Sequence, residues 1–204
     1  PEHFIDNGTT YLETLDGPMP IEIFGEHNLS NLAGAKWICQ NMGVDEAEFY
    51  EAIASFKGAS KRLEKIAETN DAVAYKDFAH SPSKVKATTE AVKKQYPDKK
   101  LVACLELHTY SSLNADFLTE YEGALAAAET AVVFYSPDAV SINKLKEISK
   151  TQIEEAFNRD DLIVYTNPDE FKSFLVVQDF TNAVLLLMSS GNYGGLDFDE
   201  IQTI

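Results

Sequence analysis

Apolar and polar positions alternate through residues 4–25, FIDNGTTYLETLDGPMPIEIFG, on either side of Asn7-Gly8 and Asp16-Gly17. A period of two interrupted by turn dipeptides predicts short antiparallel strands. The period then lengthens. In NLSNLAGAKWICQNMG, Leu29, Leu32, Ala33, Lys36 and Trp37 fall at helical spacing, and Gly43 stands where a C-terminal cap belongs. A second helical run, DEAEFYEAIASFKG, opens on Asp45 with acidic residues in its first turn, turns Phe49, Ile53 and Phe56 inward and ends at Gly58.

Residues 59–71, ASKRLEKIAETND, are rich in charge and lack an apolar stripe, and so read as a domain junction. Beyond them the strand-like runs AVAYKDFA, KLVACLEL, TAVVFY, DLIVYT and NAVLLLMS alternate with the helical runs SPSKVKATTEAVKKQY, NADFLTEYEGALAAAE, INKLKEISKTQIEEAFN and PDEFKSFLVV. Such alternation predicts an α/β fold, Rossmann-like, with a mostly parallel sheet and helices on both faces. Residues 1–60 form a first unit of strands plus two helices, and residues 61–204 the second.

Composition narrows the function classes. With 204 residues, 45% hydrophobic and 11% aromatic, the chain can bury a sizeable core in one or two domains. A formal charge of −16 opposes broad contact with nucleic acid or an anionic membrane, so an acidic substrate needs a locally basic pocket. The run AVLLLM near the C-terminus is far shorter than the roughly 20 residues that cross a bilayer. Cys39 and Cys104 both sit among apolar neighbours, as small buried thiols, with no disulfide framework, which fits a reducing cytoplasm. PEHFIDNG has neither the charged nor the apolar region of a signal peptide, and the chain reads as a piece of something longer.

In open parallel sheets, ligands gather outside the carboxyl ends of the strands. Three polar loops fall there. In KDFAHSPSK, Asp77 and His80 close a strand, Ser81-Pro82 opens a helix whose free amides favour an anion, and Lys84 and Lys86 lie in its opening turns. A simpler account is that Asp77 or Ser81 caps the helix. ELHTYSSLN gathers His108, Tyr110, Ser111 and Ser112 ahead of Asn114, a cap residue. SSGNYGG brings Ser189, Ser190, Gly191 and Tyr193, and its glycines let backbone approach a ligand. In the first unit, GEHNLSN sets His27, Asn28 and Asn31 around a helix start, where capping explains one asparagine but not two plus a histidine. Zinc spacing, G-x-S-x-G and a Cys/His pairing are all missing, which disfavours metal and covalent hydrolytic chemistry.

Three ordered motifs carry a resemblance. GEHNLSNLAGA follows G-x-H-N-x-x-N-x-x-A-A except for Gly34 at the first alanine, FKGASKRLE fits F-x-G-x-x-x-R-x-E, and KDFAHSPSKVKAT follows D-[DY]-x-x-H-x-P-x-x-x-x-A-T except for Lys76 at the leading aspartate. On these the chain resembles the Mur ligase family, ATP-dependent amide-forming enzymes of bacterial peptidoglycan synthesis. The resemblance spans essentially the whole chain. It implies that residues 1 to about 60 are the tail of a central ATPase domain and the rest a C-terminal Rossmann-like domain. It further implies that His27, Asn28 and Asn31 lie near ATP and that Arg62 and Asp77 hold its ribose or phosphate end as the catalytic pair. His80, Ser81, Lys84, His108, Tyr110, Ser111, Ser189, Ser190, Gly191 and Tyr193 would face the amine substrate.

Among the family's branches, LLLMSSGNYGGL and DFAHSP look most like the muropeptide-recycling ligases, which join UDP-N-acetylmuramate to the tripeptide L-alanyl-γ-D-glutamyl-meso-diaminopimelate. The L-alanine-adding branch carries an H-R-Y-[ST]-R loop whose arginines hold the amino-acid carboxylate. Thr109 and Ser112 stand at those positions here, leaving no bidentate clamp and favouring a bulkier peptide. The P-loop, the Mg2+ ligands, the modified lysine and the UDP-binding domain are not in these residues, so ATP and Mg2+ would be held mainly by the rest of the ligase chain, and these residues alone should not catalyse. A non-catalytic muropeptide-binding module is the competing class. A nicotinamide dehydrogenase fits the alternation but not DFAHSP, which stands where a glycine fingerprint belongs.

Overall fold

The computed structural model describes residues 1–137, 140 and 148–197. As the alternation predicts, β1 (His3–Asp6), β2 (Thr9–Thr14) and β3 (Gly17–Ile21) form an antiparallel sheet in the order β1-β2-β3. Its inward positions Leu12 and Ile21 pack with Leu29 and Leu32 of α1 (Glu26–Asn41) and Phe49 of α2 (Glu46–Ala54) into a small core. Asp45 caps α2 through a reciprocal box: its carboxylate accepts the Glu48 amide at 2.8 Å, and Glu48 accepts the Asp45 amide at 3.2 Å.

Two readings of the helical faces need correction. Trp37 is 68% exposed and Ala33 is also exposed, so the inward stripe of α1 is narrower than the spacing suggests. The second helix stops at Ala54 rather than Gly58, and Phe56, beyond its end, turns out to solvent.

The second sheet has six strands: β4 (Glu64–Glu68), β5 (Ala72–Asp77), β6 (Lys100–Glu106), β7 (Thr130–Phe134), β8 (Ile163–Tyr165) and β9 (Ala183–Met188). Their order is β4-β5-β9-β6-β7-β8, parallel throughout except for β4 at the edge. Helices cover both faces. On one, Val85 and Val92 of α3 (Pro82–Gln95) pack with Leu118 of α4 (Ala115–Leu118) and with Ile153 and Phe157 of α5 (Lys150–Phe157). On the other lie Phe171 and Leu175 of α6 (Pro168–Val177).

The stretch read as a junction thus contains a strand. β4 is charged in the manner of an edge strand, and a register shift between Lys65 and Ala67 spoils its alternation, which hides it from a periodicity test. The helix predicted over 114–129 shrinks to α4 and a 3-10 turn, Thr119–Tyr121. The chain bends there, with Gly123 at φ 68°, and Tyr121 goes fully into the core, where its hydroxyl donates to the carbonyl of His80. The first part of the helical run 142–158 lies outside the described residues, and its remainder forms α5. Cys104 is buried as expected, whereas Cys39 is only half-buried.

Buried groups join the two sheets. Phe24 meets the rings of Tyr75 and Tyr96 edge-on, with centroids 5.3 and 6.3 Å away, and the two phenol oxygens are 2.6 Å apart. Gln95, 2% exposed, accepts from the Thr10 hydroxyl at 3.0 Å and donates to the Gly8 carbonyl at 2.7 Å. Burial pushes both tyrosine hydroxyls above their ordinary range, keeping them protonated donors.

Candidate functional site

A cleft of about 470 Å³ opens where these sheets meet. Gly25, His27 and Asn28 at the start of α1 form one wall, Arg62 and Asp77 the second, and Ser83, Lys84 and Lys94 of α3 the third. Gly25 is the N-cap of α1 at φ 86°, and a Cβ on it would stand 3.0 Å from the Ala91 Cβ, so the two helices approach closely only at glycine. Neither asparagine caps α1: Asn28 donates instead to the Phe24 carbonyl at 3.0 Å. Asn31 is exposed one turn farther on and does not line the cleft.

Asp77 does not cap α3 either. One carboxylate oxygen accepts the Leu63 amide at 2.8 Å and the other the Ala79 amide at 2.7 Å, so it ties the residue after Arg62 to the end of β5. Ser81 is the N-cap of α3 but its hydroxyl makes no capping bond, and Pro82 follows at the first turn. The helix start keeps amides free of side-chain caps beside Lys84, an arrangement suited to an anion. The guanidinium of Arg62 is exposed and has no hydrogen-bond partner among the described residues. Arg62, Lys84 and Lys94 thus face Glu26, Asp77 and Glu90 in the cleft, and Lys94 engages Glu26 at 2.8 Å. That hydrogen bond holds the Glu26 carboxyl below the usual carboxylate range. A larger groove of about 880 Å³ lies near Glu22, Glu64 and Glu68 and contains none of the candidate residues.

A second cluster sits at the carboxyl end of the sheet. Because β9 lies between β5 and β6, the loop after β9 is flanked by the loops bearing His80 and His108. Glu106, the last residue of β6, is 2% exposed and accepts both the Ser189 hydroxyl and the Tyr193 amide, the latter at 2.9 Å. Ser189 Oγ in turn accepts the Gly191 amide at 2.7 Å. His108 is exposed, with Nδ1 3.7 Å from a Glu106 oxygen. Ser190 Oγ is buried and without a partner among the described residues.

Tyr193 is expected among the ligand-facing residues. It lies instead beneath the loop, fully buried, its hydroxyl donating to the carbonyls of Cys104 and Met188 at 2.8 and 2.9 Å and its ring stacked on Phe171. Tyr110 and Ser111 are exposed. Thr109 and Ser112 bond to each other, hydroxyl to hydroxyl at 2.9 Å, and Ser112 Oγ also reaches the Thr109 carbonyl at 2.9 Å, with Ser112 1% exposed. Asn114 caps α4 as its residue type suggests. His80 Nδ1 lies 2.8 Å from the Phe78 carbonyl, and its ring stands edge-on to Phe78. Glu106 was missed, although a lone acid inside the apolar run LVACLEL was a signal. Among the described residues no group of three or more His, Cys, Asp or Glu could hold a metal ion, and no helix is long and apolar enough to cross a membrane.

An open, mostly parallel sheet with helices on both faces defines a doubly wound α/β domain. The fold is shared with a UDP-N-acetylmuramate-alanine ligase from Thermotoga maritima, at TM-score 0.71 and 15% identity over 99% of this chain and 43% of that one. It is also shared with a murein peptide ligase from Psychrobacter arcticus, at TM-score 0.60 and 20% identity over 98% and 40%. Residues 61–191 match the Mur ligase, glutamate ligase domain, and the chain belongs to that family. A UDP-N-acetylmuramate--L-alanine ligase of Microcystis aeruginosa is 33% identical over 75% of this chain and 32% of its own length. That of Lactococcus lactis subsp. cremoris is 26% identical over 86% and 38%. The chain thus spans about a third of the length of these curated relatives.

Proposed function

We propose that these residues are the C-terminal part of a cytoplasmic, ATP-dependent amide-forming ligase of peptidoglycan recycling. Residues 1–60 are then the tail of its central ATPase domain and 61–204 its C-terminal domain. The observation that carries this reading is the meeting of His27, Asn28, Arg62, Asp77 and Lys84 on one cleft. Arg62 and Lys84 supply cations suited to a phosphate chain, and Asp77 holds the Arg62 segment by accepting the Leu63 amide. Asn31 has no place in that set. Mg2+ offsets phosphate charge when bound, and its ligands lie in the remainder of the ligase.

In this reading the muramate carboxylate of UDP-N-acetylmuramate takes the γ-phosphoryl group of ATP and releases ADP. The amine nitrogen of the second substrate then attacks the acyl carbon, phosphate leaves and the nitrogen gives up a proton. Alignment of the reactants is the larger part of the protein's task. His80, Ser81, His108, Tyr110, Ser111 and residues 190–191 face the amine side, with Ser189 and Tyr193 as their support from beneath.

The amine is a peptide, L-alanyl-γ-D-glutamyl-meso-diaminopimelate, rather than a free amino acid. The support is the hydroxyl pair of Thr109 and Ser112, closed on itself where a carboxylate clamp would need arginines. L-alanine is the second reading, favoured by the names of the curated relatives. Ligation by the full-length enzyme with tripeptide and with L-alanine decides between them: higher kcat/KM for tripeptide is the expected result, and a decisive preference for L-alanine overturns it. The 204 residues alone should form no amide, and turnover by them would contradict the division of labour proposed here.

A further inference from the structure

A carboxylate that is 2% exposed loses nearly all its hydration, so Glu106 persists only because the fold supplies partners. Its two oxygens have different surroundings. Oε2 accepts the Ser189 hydroxyl and the Tyr193 amide, and Ser189 passes the tie on to the Gly191 amide. Oε1 faces Nδ1 of His108 at 3.7 Å, beyond hydrogen-bond length. The loop rests directly on this pair: a Cβ at Gly191 would lie 2.8 Å from Oε2 and 3.0 Å from the His108 ring. Beside it, the buried hydroxyl of Ser190 lacks a partner among the described residues. Neither segment, 106–114 or 189–195, contains a Lys or Arg. Between them these two segments form a cup that offers an imidazole beside an acid, and hydroxyls, but no Lys or Arg of their own with which to hold a ligand carboxylate.

We propose that Glu106 is the positioning residue of this cup: through Ser189 and Tyr193 it clamps the 189–195 loop over β6 and sets the His108 ring, so that the cup accepts hydrogen bonds from the amino end of a peptide. The kinetic half of this inference rests on the ligase reading above. The clamp itself does not, and is read on the chain directly.

Glu106→Gln separates the two roles, because one amide oxygen can keep both loop bonds while the amide nitrogen replaces Oε1 opposite His108. In the full-length ligase, Glu106→Gln should raise KM for the tripeptide by about ten-fold or more while kcat and KM for ATP stay within about two-fold. Amide exchange at Gly191 and Tyr193 should remain close to wild type. Ser189→Ala, a smaller change that tests the clamp, should speed Gly191 exchange by about ten-fold. An unchanged tripeptide KM in Glu106→Gln overturns the positioning role, and unchanged exchange in Ser189→Ala overturns the clamp. If the wild-type enzyme ligates no amine at all, the ligase reading falls and the exchange result still decides the clamp.

Discussion

The seam cleft and the β6–β9 cup hold their polar groups in opposite ways. In the cleft, Arg62 and Lys84 are exposed, one in the bend before β4 and the other on α3; Asp77 fixes the Arg62 segment, and Phe24 on Tyr75 and Tyr96 with the bonds of Gln95 bring the start of α1 against them. In the cup, Glu106, Ser189 and Tyr193 are buried and bonded to one another within adjacent strands and one loop. Side chains that are free in water can be changed without disturbing the fold, and their cost appears in binding. Interlocked buried groups report in stability first.

Tyr193→Ala tests this contrast most severely. It empties a site stacked against Phe171 and removes two hydrogen bonds, so denaturant unfolding should show a loss of about 3–5 kcal/mol. Arg62→Ala should stay within about 0.5 kcal/mol of wild type in the same assay. Equal losses would erase the distinction. Gln95→Leu strands the Gly8 carbonyl and the Thr10 hydroxyl at the joint, for a loss of about 1–3 kcal/mol, measured by urea titration. The smallest effect concerns the rim. Lys94 holds the Glu26 carboxyl below its ordinary range, so the tie stabilises above the unfolded carboxylate value and is lost as pH falls through the lowered folded value. Lys94→Met should therefore differ slightly from wild type in thermal melts at neutral pH, and the two curves should converge in acid.

Strands β5 to β9 were legible because buried parallel strands are short apolar runs between helical patterns, and AVLLLM or TAVVF has no other economical reading. β4 was not, since an edge strand bearing Glu64, Lys65 and Glu68 with a register shift looks like a linker. The helix over 114–129 failed because burial of Tyr121 and the bend at Gly123 outweigh local propensity. At the site, loop position picked out His27, Asn28 and Asp77, and the resemblance to the family's motifs added Arg62, all of which line the one cleft. Motifs carry no sign of inside or outside, so Tyr193 reads as ligand-facing and Glu106 as one more residue of a strand.

The account depends on the seam cleft being where nucleotide is held. The most direct measurement is KM for ATP of the full-length ligase with Arg62→Ala against wild type, at saturating muramate and amine substrates. A rise of about ten-fold or more, with KM for the amine unchanged, is predicted from the loss of a charged hydrogen bond to phosphate. An ATP KM equal to that of the wild type would contradict it.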